Sequence, residues 1–137
     1  MALEADVLNM FAAVEQKYGT VTHLVNNAGI LFTQSTLADL SVQRFNQVLT
    51  TNVTSCFLCC REAIRQRNIR VNAVRPGFIH TDMHADGGEP NRIERLSPKI
   101  PLQRGGTANE VANAIAWLLS EQASYVTGTF IDIAGGK

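Results

Sequence analysis

The chain has 137 residues, 45% of them hydrophobic, and its twelve acidic side chains balance twelve basic ones. That length suits one hydrophobic core, and the apolar content excludes intrinsic disorder. Zero net charge excludes a global field that recruits nucleic acid or an anionic membrane surface, and no apolar run is long enough to span a bilayer.

The opening stretch MALEADVLNMFAAVEQKYG carries neither the basic region nor the unbroken apolar core of a secretory signal. Within it Leu3, Val7, Leu8, Met10, Phe11 and Val14 recur at helical spacing, which predicts a helix over 3–17 with Gly19 as its stop. Val21 to Val25 predicts a short buried strand that runs into Asn26-Asn27-Ala28-Gly29. A polar loop at 33–35 leads to ADLSVQRFNQVLTTNVTSCFLCCREAIRQR. There Val42, Phe45, Val48, Leu49, Val53, Cys56, Phe57, Cys60 and Ile64 form one stripe, so the segment reads as one long amphipathic helix capped by Ser41 or Asp39. Arg61, Arg65, Arg67 and Arg70 are expected on a solvated face.

Ile69 to Val74 alternates and is rich in branched residues, predicting a strand ended by Pro76-Gly77. The polar, Gly- and Pro-rich stretch 80–106 predicts a mobile surface segment. Thr107 caps the next helix, ANEVANAIAWLLSEQ, with Glu110 completing a capping box. Trp117, Leu118 and Leu119 are expected in the core. Gly128 to Ile133 is the last strand, closed by Ala134-Gly135-Gly136. Alternation of helices and strands predicts an α/β fold, a parallel sheet with flanking helices, in one domain over 1–137.

In such a sheet ligands bind at the carboxyl edge of the strands, where NNAG and RPGFIHT both fall. Gly29 and Gly77 let main chain approach a ligand closely, and Asn26 and Asn27 offer donors and acceptors suited to a ribose. The alternative is that both are ordinary turns after strands. Asn52 lies among apolar residues of the long helix. It either satisfies neighbouring main chain or has a functional role, since a buried amide without partners costs a few kcal/mol, roughly. The CFLCC cysteines read as small apolar packing residues rather than metal ligands. Their odd number favours a reducing, cytoplasmic setting over a disulfide framework. His80 and His84, with Asp82 and Asp86 nearby, lack a third ligand on an ordered element, so no metal site is expected.

NNAGI, TTNVTSCFLCCREA, IRVNAVRPGFIHTDM and YVTGTFIDIAGG, in that order, make the chain similar to the short-chain dehydrogenase/reductase family over essentially its whole length. The likeness is nearest to bacterial reductases of the 3-oxoacyl and sugar-dehydrogenase type. The resemblance implies a Rossmann-like, doubly wound sheet, here partial. It also implies an oxidoreductase that interconverts an alcohol and a carbonyl by hydride transfer with NAD or NADP. Asn26, Ala28 and Gly29 match the motif beside the adenosine ribose, and Asn52 matches the family Asn of the proton relay. Pro76, Gly77, Ile79 and Thr81 match the nicotinamide-contacting segment, and 80–106 the lid over a small alcohol or carbonyl substrate.

The family pattern is incomplete in these residues. No glycine cluster of the form TGxxxGxG occurs, and with it goes the residue that selects between NAD and NADP. Four residues after Tyr18 and Tyr125 stand Thr22 and Thr129, so there is no Tyr-x-x-x-Lys, and its Ser partner is missing too. The join shows at CREAIRQRNIRVNAV, where the long helix runs into a strand that the family places one strand and one helix later. Loss of such an acid/base removes about 10²–10⁴-fold in rate. The chain by itself is therefore expected to be catalytically impaired, binding of NAD or NADP doubtful, and Ile69 to Val74 is expected to slide over and pair with Val21 to Val25. The alternatives are a non-catalytic module that associates as a homo-oligomer or with an intact family subunit, or the product of a damaged gene. No nucleic-acid or membrane partner is expected.

Overall fold

The computed structural model describes residues 3–65 and 69–137, and the chain divides into two compact units, Met1–Ile69 and Arg70–Lys137. Arg67, expected on a solvated face, lies outside the described residues.

In the first unit, helix α1 spans Glu4–Tyr18 and buries Val7 and Phe11, one turn apart. It stops where expected: Gly19 adopts φ +84°, open to glycine at no steric cost, and its N–H reaches the Glu15 carbonyl at 2.9 Å. The long helix is a composite of α2 (Val42–Leu49), a π turn (Thr50–Thr54) and α3 (Ser55–Ile64), with right-handed helical torsions through both junctions. Of the two cap candidates Ser41 serves, its hydroxyl accepting from the Arg44 N–H at 3.2 Å. Val7 and Phe11 pack with Leu58, Cys59 and Ala63 of α3, and Met10, Val21 and Leu24 flank them. Each fully buried large side chain of this kind contributes about 1.5–3 kcal/mol.

Two expectations fail in this unit. Val21 to Val25 is not a strand: Val21 and Leu24 lean on the core while Val25 is 47% exposed. An apolar run supplies burial, but a strand also needs a neighbour's N–H and C=O groups, and among the described residues this unit holds none. The predicted stripe also does not face the core. Val42, Phe45, Leu49, Val53, Phe57 and Ile64 are exposed, and the buried seam is Ser55, Leu58, Cys59 and Ala63. The long helix carries apolar residues around more of its circumference than α1 covers.

In the second unit, β1 (Ala73–Pro76) pairs in parallel with β4 (Phe130–Ile133), Ala73 opposite Phe130 and Pro76 opposite Ile133. A second parallel pair joins β2 (Ile79–His80) to β3 (Gly106–Thr107). The expected pairing of Ile69–Val74 with Val21–Val25 is not formed. The strand also starts later than predicted, because side chains hold the residues before it. The Val71 N–H donates to Thr127 Oγ1 at 3.1 Å, and the Asn72 amide donates to the Val126 carbonyl at 2.9 Å.

The stretch 80–106 is folded rather than irregular. It carries α4 (Met83–Asp86) and α5 (Arg92–Leu96), it buries Ile93 and Ile100, and its two ends meet in the β2–β3 pair. Helix α6 (Ala108–Leu119) begins in the predicted capping box, with the Glu110 N–H on Thr107 Oγ1 at 3.2 Å and the Thr107 N–H on Glu110 Oε2 at 2.7 Å. Ile79, Ile93, Ile100, Leu118 and Ala123 are the buried apolar residues of this unit. Trp117, predicted as core, is 39% exposed, because the helix turns Leu118 inward in its place.

Arg70 is a further correction. Far from lying on a solvated face, its guanidinium donates to the carbonyls of Leu118 (2.6 Å), Ser120 (3.3 Å) and Val126 (3.3 Å). These include the last carbonyls of α6, which have no partner inside the helix and carry the negative end of its dipole. Parallel strands flanked by helices make this an α/β fold, as the alternation predicted. Among the described residues no helix is long and apolar enough to cross a membrane.

Candidate functional site

The residues singled out by sequence fall into two sets, one in each unit. In the first, Asn26, Ala28 and Gly29 lie exposed on the loop after Leu24, and Asn52 stands opposite them in the π turn. Asn52 is exposed rather than buried, and its side chain is fully used. Its Oδ1 accepts from the Ile30 N–H at 2.8 Å, and its Nδ2 donates to the Ile30 carbonyl at 2.9 Å. The side-chain amide thus meets the loop as a neighbouring peptide unit would, donor and acceptor together. The wider π turn is where a helix departs from its regular ladder, a feature frequent at functional sites. Ser55 locks it from the other side by donating its hydroxyl to the Thr51 carbonyl.

The same loop has a second tether. The Asn26 amide donates to Cys60 Sγ at 3.1 Å. Burial, reinforced by neighbouring Cys56, pushes the Cys60 thiol up, and burial does the same at Cys59. Both cysteines therefore remain protonated thiols at neutral pH, in keeping with small, half- to fully buried packing groups. Gly29 has room around it: a Cβ there would meet only Asn52 Oδ1, at the ordinary distance of 3.6 Å, and its φ is not positive. Among the described residues, nothing in the packing requires a glycine at this point.

In the second unit the opposite holds. A Cβ on Gly77 would lie 2.8 Å from the Ala134 Cα, so this glycine is fixed by the close approach of the chain's own C-terminal turn. Pro76 and Thr81 are exposed at the end of β1 and beyond β2, while Ile79 is buried in the core. His84, considered as a ligand, has its Nε2 on the Ile79 carbonyl at 2.9 Å.

A cleft of about 400 Å³ opens in this unit where β1 and β4 end, lined by Phe78, Arg104, Glu110, Asp132, Ala134 and Gly135 among others. Sequence reading missed most of these. Arg104 clamps Glu110 through two hydrogen bonds, at 2.6 and 3.0 Å. That guanidinium, with the Thr107 N–H, holds the Glu110 carboxyl down at about 2. Asp132 is held by Arg75 at 2.6 and 2.8 Å, and the Lys137 ammonium lies 4.1 Å over the Phe78 ring. The signal that would have found Phe78 and Asp132 is positional: both stand at the carboxyl ends of the paired parallel strands β1 and β4.

Comparison with known proteins adds to this geometry. Residues 1–66 match the family model described as short chain dehydrogenase, and residues 63–137 match the one described as enoyl-(acyl carrier protein) reductase. An uncharacterized oxidoreductase of Escherichia coli (strain K12), YgfF, is 45% identical over 185 aligned positions, covering 98% of this chain and 75% of that protein. A crystal structure of a glucose/ribitol-type short-chain dehydrogenase/reductase from Brucella melitensis superposes with a TM-score of 0.87 at 23% identity, over 98% of this chain and 72% of that one. An NAD+-bound xylitol dehydrogenase superposes with a TM-score of 0.85 at 23% identity, over 98% and 76%.

Proposed function

We propose, from the premise that this chain belongs to the short-chain dehydrogenase/reductase family, that it keeps a cofactor-facing loop of a nicotinamide-dependent oxidoreductase but is catalytically impaired by itself. The observation that carries this reading is the pair of hydrogen bonds from Asn52 to Ile30, 2.8 and 2.9 Å, which fixes the loop of Asn26, Ala28 and Gly29 against the helix. Gly29, where a side chain would meet only Asn52 Oδ1 at 3.6 Å, fits the close approach of a ribose. Asn26 and Asn27 would supply hydrogen-bonding groups to it. In the second unit Pro76 and Thr81 are the exposed candidates for nicotinamide contact, and Gly77 shapes the turn between them.

A bound nicotinamide cofactor would carry the hydride, its oxidised form taking it from the alcohol carbon and its reduced form returning it to the carbonyl carbon. What the chain does not supply is the proton: no Tyr is followed four residues later by Lys, and both tyrosines precede Thr at that spacing. The side chain of Asn52 is already committed to Ile30 and cannot replace a phenol as acid. A thermal melt of the purified chain with and without excess NADH or NADPH tests the reading. At 100 times its Kd a ligand adds about 2.7 kcal/mol, a shift of several degrees in a unit of this size. An unmoved cooperative melt refutes cofactor binding, and turnover of an alcohol by the isolated chain refutes impairment.

A second reading, a non-catalytic module that joins an intact family subunit, is favoured by the row of exposed apolar residues Val42, Phe45, Leu49, Val53, Phe57 and Ile64 along α2 and α3. Such a row marks an interaction surface more often than a solvated one. Co-purification of the tagged chain with a full-length relative, lost on Phe45→Lys and Phe57→Lys, tests it.

A further inference from the structure

We propose that Cys56 and Cys60, one helical turn apart on α3, form a dithiol site that captures a trivalent arsenical bearing an apolar group, one sulfur on each of its two exchangeable valences. The inference goes beyond the oxidoreductase reading and lies wholly within the first unit. Both cysteines are free and half-buried, while Cys59 between them is 3% exposed and belongs to the seam against α1. Residues four apart stand over one another on a helix, and the two thiols are hydrogen-bonded to each other. Cys60 Sγ is held further by the Asn26 amide, which donates to it at 3.1 Å. The sulfurs are thus ordered side by side before anything binds.

Geometry separates this site from the two commoner fates of paired cysteines. Structural zinc wants four ligands in a tetrahedron, and among the described residues no three His, Cys, Asp or Glu side chains gather to hold a metal ion. A disulfide draws its Cβ atoms to about 3.5–4.5 Å, whereas side chains at i and i+4 carry theirs about 5–6 Å apart. A direct S–S bond would deform the helix; one atom bonded to both sulfurs closes the gap without doing so. The surroundings select the rest of the ligand. Val53, Phe57 and Ile64 are exposed and lie three or four residues from one cysteine or the other, so an aryl group on the arsenic rests on apolar surface. Burial keeps the Cys60 thiol protonated, which slows alkylation and disulfide exchange. An arsenoxide needs no prior ionisation. Two S–H bonds and the As–O bonding break, two As–S bonds form, and the oxygen leaves as water with both thiol protons. Arsenic stays trivalent and nothing is oxidised.

The test uses the full chain under native conditions and phenylarsine oxide as the probe. Intact mass is expected to show one adduct, heavier by a phenylarsenic unit less two hydrogens, that persists in excess glutathione. Two attachments within one chain strengthen capture by about 10²–10⁴-fold over one, so Cys56→Ser and Cys60→Ser are each expected to lose the adduct to glutathione by that factor. Cys59→Ala is expected to keep it. Loss of the parent chain's adduct to glutathione overturns the proposal. Retention in either serine variant does so as well, since it would place the arsenic on a pair that includes Cys59. Should Cys59→Ala fail to melt cooperatively, the two serine variants, altered only at half-buried positions, decide the question. The cofactor-dependent melt reports separately, so failure here leaves the oxidoreductase reading standing.

Discussion

Asn52 and Ile30, twenty-two residues apart, are joined by two hydrogen bonds through one side-chain amide, which accepts at 2.8 Å and donates at 2.9 Å. Asparagine is the short side chain able to do both. Asn52→Asp keeps the acceptor but sets a carboxylate oxygen against the Ile30 carbonyl. It is expected to speed exchange of the Ile30 amide and to destabilise the first unit more than Asn52→Ala. The alanine variant forfeits about 0.5–1.5 kcal/mol per hydrogen bond, toward the low end at an exposed site. Denaturant melts with site-resolved exchange measure both.

The two candidate glycines should respond in opposite ways. Gly77→Ala forces a Cβ to within 2.8 Å of the Ala134 Cα and is expected to cost about 1–3 kcal/mol. Gly29→Ala meets nothing closer than 3.6 Å and should stay within about 0.5 kcal/mol of the parent. If the loop lies against a cofactor, Gly29→Ala should nonetheless weaken the NADH-dependent shift in Tm. Equal stability losses for both variants would contradict the packing difference.

Glu110 gives the second unit a dependence on acid. Its carboxyl ionises at about 2 in the folded chain, against 4.5 for an unperturbed glutamate, because Arg104 and the Thr107 N–H hold the charged form. A depressed folded value contributes stability that is fully present above 4.5 and is lost as the pH falls from there toward 2. Tm recorded between pH 7 and 3 should fall over the lower part of this range, and Glu110→Gln should flatten the fall. A parallel decline in the variant would assign the acid sensitivity elsewhere.

Arg70 spans three carbonyls, those of Leu118 and Ser120 at the end of α6 and that of Val126 beyond it. Hydrogen bonds to charged groups contribute about 1.5–3 kcal/mol, so Arg70→Met should lower Tm by several degrees. Arg70→Lys should recover part of the loss, since a single ammonium cannot reach three acceptors in the guanidinium geometry. Full recovery with lysine would mean that charge alone, at the helix terminus, is what matters.

The features legible in the sequence were those whose cause is local. Gly19, Ser41 and the Thr107–Glu110 box act within three or four residues, and each stands where the pattern put it. The features that sequence reading missed depend on a distant partner. Val21 to Val25 has the composition of a strand and, among the described residues, no strand beside it. The apolar stripe on the long helix was visible, but which side α1 would cover was not. Arg70 looked like one more surface charge until three carbonyls from 118–126 gathered around it. In the candidate site, of the two readings open for Asn52, attachment to main chain is the one its side chain displays. Phe78 and Asp132 stood inside quoted motifs and Arg104 inside none, yet none of the three was singled out, because a cleft at the end of paired strands is a property of topology.

The π turn at Thr50–Thr54 sets the phase between the two halves of the long helix. Leu49, Val53 and Phe57 recur every four residues, a step that drifts around an α-helix of 3.6 residues per turn but falls nearly in line across a wider turn. Winding the same residues there as regular α-helix would rotate α3 about its axis relative to α2 by roughly 100°, one residue's step. Leu58, Cys59 and Ala63 would then face away from α1 whenever Asn52 still faced Ile30. The helix would have to choose between its core and its loop, and the wider turn is what lets one length of chain keep both.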